Sequence, residues 1–202
     1  MWSDIIPKLA KKKMIIRLAE RDLKTKFGSF REILYYNGQI ESIAIVMGNV
    51  ENKEDVLCRV HSHCIGAHIF NSIECECREE MEQSQFLIEQ AGQGIIIWLN
   101  QEGKGNGHLA LIVSTKYKKQ GFPQAEAYKM AGFQSDDRSY RAAAEILVDL
   151  QIKSIVLLAN KPDKADDLGK ESIIVSDTKP IVISDELLET YYEKLRKGLL
   201  IA

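Results

Sequence analysis

Residues 58–80 read CRVHSHCIGAHIFNSIECECREE, and they hold all four cysteines of the chain and three of its four histidines. Within this stretch Cys64, Cys75 and Cys77 stand as C-x10-C-x-C. A disulfide between Cys75 and Cys77 would close a ring too small for the preferred geometry. Cysteines crowded together in a reducing compartment point instead to metal binding or thiol chemistry. Three thiolates with a fourth position open is the arrangement of a catalytic zinc, which acidifies water to a pKa of about 7. Spacing leaves two alternatives: a structural zinc completed by Cys58, His61, His63 or His68, and thiols that hold no metal.

Outward from this cluster the chain reads as one mixed α/β (α+β) domain with an antiparallel, β-rich N-terminal part. On the N-terminal side, ILYY and IAIVM are strand-like, and Asn37-Gly38 between them is a hairpin turn signal. On the C-terminal side, Met81, Ser84, Ile88 and Ala91 recur at helical spacing, Gly92 closes that helix, and GIIIWL reads as a buried strand. A glycine-rich loop, NQEGKGNGHL, follows. Residues 138–150 place Tyr140, Ala143, Ala144, Leu147 and Leu150 on one helix face, with Asp136 or Asp137 expected as N-cap. SIVLLA is a further core strand. A last helix is expected from Ser184, packing through Leu187, Leu188, Tyr191 and Leu195.

Composition narrows the function. In 202 residues, 27 Lys and Arg nearly balance 29 Asp and Glu, so no global charge argues for nucleic acid or an anionic membrane. The start, MWSDIIPKLAKKKM, does not resemble a secretory signal, and the apolar runs IIIWL and IVLLA are far below the ~20 residues of a membrane span. A cytoplasmic protein is expected, with residues 1–13 as a lysine-rich extension and 14–202 as the domain.

From Cys58 to Cys77 the chain resembles GTP cyclohydrolase II, the enzyme that opens the riboflavin pathway. That family carries R-V-H-S-E-C, ten residues, then C-D-C-G-x-Q-L; here stand RVHSHC and CECREEM with the same spacing. The family's Q-E-G-R-x-x-G-L is matched by QEGKGNGHL at 101–109, its G-F-x-x-D-x-R by GFQSDDR at 132–138, and its L-L-T-N-N-P-x-K by LLANKPDK at 157–164. The segments TKFGSF and IAIVMGNV and the ending YYEKLRKGLL are also similar.

The resemblance implies one zinc per subunit on Cys64, Cys75 and Cys77, Mg²⁺ on the nucleotide phosphates, and a homodimer. It implies hydrolytic opening of the imidazole ring of GTP to a pyrimidine nucleotide, with release of formate and pyrophosphate. The catalytic pair falls on Arg138, the proposed nucleophile for a nucleotidyl intermediate, and on Asp136, the carboxylate proposed to activate it. Substrate binding falls on Arg59, Val60, His61, Ser62, His63, Glu80, Glu102, Gly103, Lys104 and Lys164, with Arg59, Lys104 and Lys164 on the triphosphate. A cation in the first turn of a helix opposes the macrodipole, so Arg138 calls for an anion beside it.

Departures from the family pattern gather at the ligand. His63 replaces a glutamate, Arg78 a glycine, Glu80 a glutamine, Ala159 a threonine, Gln124 another threonine and Thr115 a tyrosine implicated in the later hydrolysis. Loss of that tyrosine points to a formamide product. Glu80 is able to accept two hydrogen bonds from the N1–H and N2 amine of guanine, or to sit on a solvated face near a helix N-terminus. Alternative functions are a cyclohydrolase acting on another purine nucleotide and a non-catalytic nucleotide-binding homologue.

Overall fold

The computed structural model describes residues 15–160 and 163–199, so the extension expected over residues 1–13 lies outside the described residues. Its frame is one seven-stranded sheet in the order β1-β2-β3-β5-β4-β6-β7. The strands are β1 (Ile16–Thr25), β2 (Gly28–Tyr36), β3 (Glu41–Met47), β4 (Val56–Ser62), β5 (Gly94–Leu99), β6 (Ile155–Leu158) and β7 (Val175–Lys179). The first three form the expected antiparallel part, and β5 pairs antiparallel with β3. Beyond β5 the sheet turns parallel, through β4, β6 and β7.

The β2–β3 hairpin forms where Asn37-Gly38 predicts it. The Asn37 side-chain oxygen accepts the amides of Gln39 at 3.0 Å and Ile40 at 2.9 Å. A side chain that satisfies two turn amides is the physical reason asparagine marks turns.

Helices among the described residues are α1 (Ile65–His68), α2 (Cys77–Ala91), α3 (Gly107–Lys118), α4 (Gln124–Met130), α5 (Arg141–Asp149), α6 (Asp163–Lys170) and α7 (Asp185–Leu199), with a single 3₁₀ turn at Gly103–Gly105. Gly92 ends α2 in the left-handed conformation, as its sequence position predicts. The N-cap expectation for α5 is corrected: Tyr140 occupies that position, and the helix starts three residues after Arg138. The Asp136 carboxylate is drawn away from capping by a stronger partner, the Arg138 guanidinium.

The sheet is covered on both faces. Tyr140, Ala143, Ile146 and Leu147 at and within α5 pack on Cys58, Val60, Ile95, Ile97 and Ile155. On the other face Ile88 of α2 meets Ile96, Phe30 and Leu158. Phe27, Phe86 and Tyr191 join α7 to α2. β5 is apolar on both sides because it is central, and each of its buried isoleucines contributes roughly 1.5–3 kcal/mol. No helix among the described residues is long and apolar enough to cross a membrane.

Candidate active site

The carboxyl ends of β4, β5 and β6 lie side by side, which is where open α/β sheets place ligands. β4 delivers Arg59, Val60, His61 and Ser62, then His63 and Cys64. β5 leads into Gln101, Glu102, Gly103 and Lys104. β6 ends beside Ala159 and Asn160, and α6 brings Lys164.

Cys64 is the N-cap of the short α1, and Cys77 is the first residue of α2. Their sulfur atoms and that of Cys75 lie within 4.8 Å of one another, with Cys64 and Cys75 at 3.6 Å. Burial first, then the neighbouring thiols, push the Cys77 thiol above the ordinary range. Three crowded thiols hold their protons unless a cation offsets the charge of the thiolates, so the donor set fits a metal ion. Cys58 is fully buried in the core, its thiol pushed up to about 12 by burial, and belongs to packing.

The metal-loop geometry has its own support. The Arg78 guanidinium donates from Nε to the Ala67 carbonyl at 2.9 Å and from Nη2 to the carbonyls of Ala67 and His68. The His68 ring lies 3.3 Å from the Cys77 carbonyl. Glu102, buried, accepts the Ile65 amide at 2.8 Å. His63 Nε2 and His108 Nδ1 stand 3.7 and 3.9 Å from its two oxygens, beyond direct hydrogen-bond distance.

On the other side of Arg59 lies the charged part of the site. Arg59 is 3% exposed; it donates to the Leu158 carbonyl at 3.1 Å and to Glu80 Oε2 at 2.5 Å. The Lys164 ammonium donates to the Val60 carbonyl at 3.1 Å. Burial, then the nearby Arg59 and Arg138, push it down to about 7. Burial, with Arg59 next, takes His61 down to about 2, so its imidazole is neutral.

Arg138 and Asp136 form a two-point ion pair, Nε to Oδ1 at 2.8 Å and Nη2 to Oδ2 at 2.6 Å. Burial alone would lower the arginine; the Asp136 hydrogen bonds outweigh it and hold Arg138 more firmly charged. Burial would likewise raise the aspartate, but Arg138 keeps it below the usual range. Lys104 reaches within 3.8 Å of Asp136 from a left-handed backbone conformation, φ 55°. Gly105 allows this loop to touch the 136–138 segment: at φ +84°, an added Cβ would lie 2.5 Å from the Asp137 carbonyl oxygen.

The structure thus brings together Arg59 with Glu80, Asp136 with Arg138 and Lys104, and His63 with Glu102. It keeps Gln124 apart from them, its amide donating to Ser114 Oγ at 3.1 Å between α4 and α3. The Thr115 hydroxyl is spent on the Leu111 carbonyl one turn back. Glu80 lies in the first turn of α2, near the helix N-terminus as expected, but it is half-buried rather than fully solvated, its oxygens engaged by Arg59 and by Asn160 Nδ2 at 3.3 Å. Sequence reasoning missed the Arg78 fork, Asn160 and Tyr140, whose buried hydroxyl has no hydrogen-bond partner among the described residues. All three stand within or next to the quoted motifs; what spacing does not mark is the partner each one takes.

Comparison with known proteins decides the family. The family model described as GTP cyclohydrolase II matches residues 16–180. The chain belongs to the GTP cyclohydrolase II family. It is 37% identical to the GTP cyclohydrolase-2 of Archaeoglobus fulgidus over 81% of this chain and 43% of that protein. It is 33% identical to the riboflavin biosynthesis protein RibBA of Endomicrobium trichonymphae over 92% of this chain and 46% of that protein. The chain therefore spans about half the length of the curated relatives it matches. A solved two-domain 3,4-dihydroxy-2-butanone 4-phosphate synthase from A. baumannii, RibBX, matches 88% of this chain and 44% of its own, with TM-score 0.48 and 17% identity.

Proposed function

We propose that the chain is a zinc-dependent cyclohydrolase that opens the imidazole ring of GTP to give a ring-opened pyrimidine nucleotide. The observation that carries the reading is the juxtaposition of three clustered thiols with Arg59 and the Arg138–Asp136 pair at the carboxyl ends of the inner strands. Cys64, Cys75 and Cys77 would hold the zinc, which when bound supplies Lewis-acid activation of the attacking water.

The residues then divide the work. Glu102 holds the loop that carries Cys64 and faces His63, so it orients groups at the ring-opening end. Arg59, Lys104 and Lys164 meet the phosphates, together with Mg²⁺. Arg138, kept charged by Asp136, binds phosphate as it stands; its use as a nucleophile at phosphorus requires its proton to pass to Asp136. Thr115, with its hydroxyl turned into α3, supports retention of the formyl group and hence a formamide product.

A second reading, a cyclohydrolase for another purine nucleotide, is favoured by Glu80 and Gln124, whose polar groups are taken up by Arg59, Asn160 and Ser114. The protein is expected in the cytoplasm as a homodimer. Mass spectrometry of the products from zinc-loaded protein with Mg²⁺ and either GTP or another purine nucleotide, beside Arg138→Ala, tests both readings. A ring-opened product absent from the variant supports the first; unchanged GTP with turnover of another purine nucleotide supports the second. The same masses report whether formate and pyrophosphate leave, and sedimentation reports the oligomeric state.

A further inference from the structure

The guanidinium of Arg59 is sealed in the protein and has few donors left to offer. Nη1 is committed to the Leu158 carbonyl and Nη2 to Glu80, while Nε is buried without a hydrogen-bond partner among the described residues. Glu80 is held in turn from its other oxygen by Asn160. Asn160 is fixed by accepting the Ile181 amide at 2.9 Å. The other site guanidinium, Arg138, is likewise matched by a carboxylate, and Lys104 shares that carboxylate. Lys164 alone of these four cations forms no ion pair among the described residues; its partner is a carbonyl. Cations gathered for an anion are thus already largely neutralised by the chain itself.

We propose that Glu80 is a specificity-determining residue: a built-in carboxylate that competes with a ligand's phosphate for Arg59 and lowers affinity for phosphate-rich nucleotides. Carboxylate and phosphate oxygens seek the same guanidinium donors. A phosphate arriving at Arg59 either displaces Glu80, leaving it with Asn160 alone, or stays beside it and is repelled. Repulsion grows with the charge of the ligand, so a triphosphate is penalised more than a monophosphate. Glutamine at this position carries no charge, and its amide N–H₂ donates to phosphate. The proposal rests on the reading of this pocket as a nucleotide site.

Binding of GTP, GMP and inorganic triphosphate at fixed Mg²⁺ is measured calorimetrically for the wild type, Glu80→Gln and Glu80→Asp. Inorganic triphosphate has no base, so it isolates competition at the cations. Glu80→Gln is expected to bind it and GTP about tenfold tighter, GMP gaining less, with a steeper loss of affinity in salt. Glu80→Asp keeps the charge and is expected to stay near the wild type, which covers the case in which the glutamine variant folds poorly. Unchanged or weaker triphosphate binding in Glu80→Gln, or a tenfold gain in Glu80→Asp, overturns the proposal. So does an equal change for GTP and GMP with inorganic triphosphate unmoved, the signature of a base contact. Wild-type turnover of GTP is scored separately: tighter triphosphate binding in the variant without any turnover leaves the inference standing and removes the enzymatic reading.

Discussion

Replacing Arg78 by alanine removes the fork that ties the start of α2 to the end of α1. Three hydrogen bonds go with it, two to the Ala67 carbonyl and one to His68. Ala67 is fully buried, so its carbonyl has little access to compensating water, whereas His68 is only half-buried. A hydrogen bond from a charged donor is worth roughly 1.5–3 kcal/mol net. Partial rehydration keeps the sum of the three near the value of one or two. An expected loss of about 1.5–3 kcal/mol, confined to the loop, multiplies its opening constant by about 10- to 140-fold.

Native-state amide exchange reads this directly. The His68, Ile69 and Ser72 amides bond within the loop, to Cys64, Ile65 and Gly66. Their exchange is expected to accelerate by that factor in Arg78→Ala, while core amides such as those of β5 keep the rate set by global unfolding. Zinc bound at the three thiols is expected to pass faster to a chelator. Arg78→Lys, a point charge without the planar fork, falls between. Wild-type exchange at the three loop amides in Arg78→Ala would refute the reasoning, because the fork would then be decorative. A uniform acceleration across the sheet would refute it differently, by showing a global rather than a local role.

Further tests bear on the rest of the molecule. Lys164 titrates at about 7 in the fold against 10.5 for the free side chain, so between those values the unfolded chain binds more protons. Stability relative to Lys164→Met therefore rises with pH across that window, by up to about 1.4 kcal/mol per unit, and levels off below about 7; urea melts at several pH values check it. A nucleotide phosphate raises the same pKa, so binding at pH 8 is expected to take up protons, measured by calorimetry in buffers of different ionisation enthalpy. Ile97→Ala, at a fully buried position, is expected to cost about 2–5 kcal/mol in urea unfolding. Gly105→Ala drives a Cβ into the Asp137 carbonyl and is expected to cut turnover about a hundredfold by displacing the Arg138 segment, with only a small fall in melting temperature.

What the sequence discloses about this molecule depends on the range of the interaction. Asn37-Gly38 and the apolar face of α5 are local patterns, and both are where they are expected. The α5 cap is misread because a carboxylate near a helix start has two possible partners, and Arg138 wins over free amides. The glycine-rich loop expected over 100–109 gives way to α3 at Gly107, a helix with little sequence signal: its Leu109 and Ile112 are exposed while Ser114 is buried, so the polar and apolar faces that mark a helix are blurred. β7, VSDTK, is mostly exposed at the sheet edge and carries little strand signal. The Arg59–Glu80 pair spans 21 positions and exists only because α2 packs across the end of β4. Motif resemblance points to residues that the fold brings close together, but which donor each acceptor takes is decided by that packing.

The register of β4 shows why the fold and the site are one problem. Cys58 and Val60 face the α5 side with Ile95 and Ile97, whereas Leu57 packs on the α2 side and Arg59 and His61 follow it there by alternation. A slip of one residue against β5, where Cys58 meets Ile95 and Val60 meets Ile97, would exchange the two sets. Arg59 would then enter the apolar layer beneath α5 without Glu80, at several kcal/mol for a buried, unpaired charge. The apolar pattern of alternate residues therefore fixes the orientation of the guanidinium, and Glu80 makes its burial tolerable. If Arg59 meets a phosphate as proposed, the carboxylate that holds the strand in place is also the one that phosphate contends with, so a single contact sets both stability and ligand preference there.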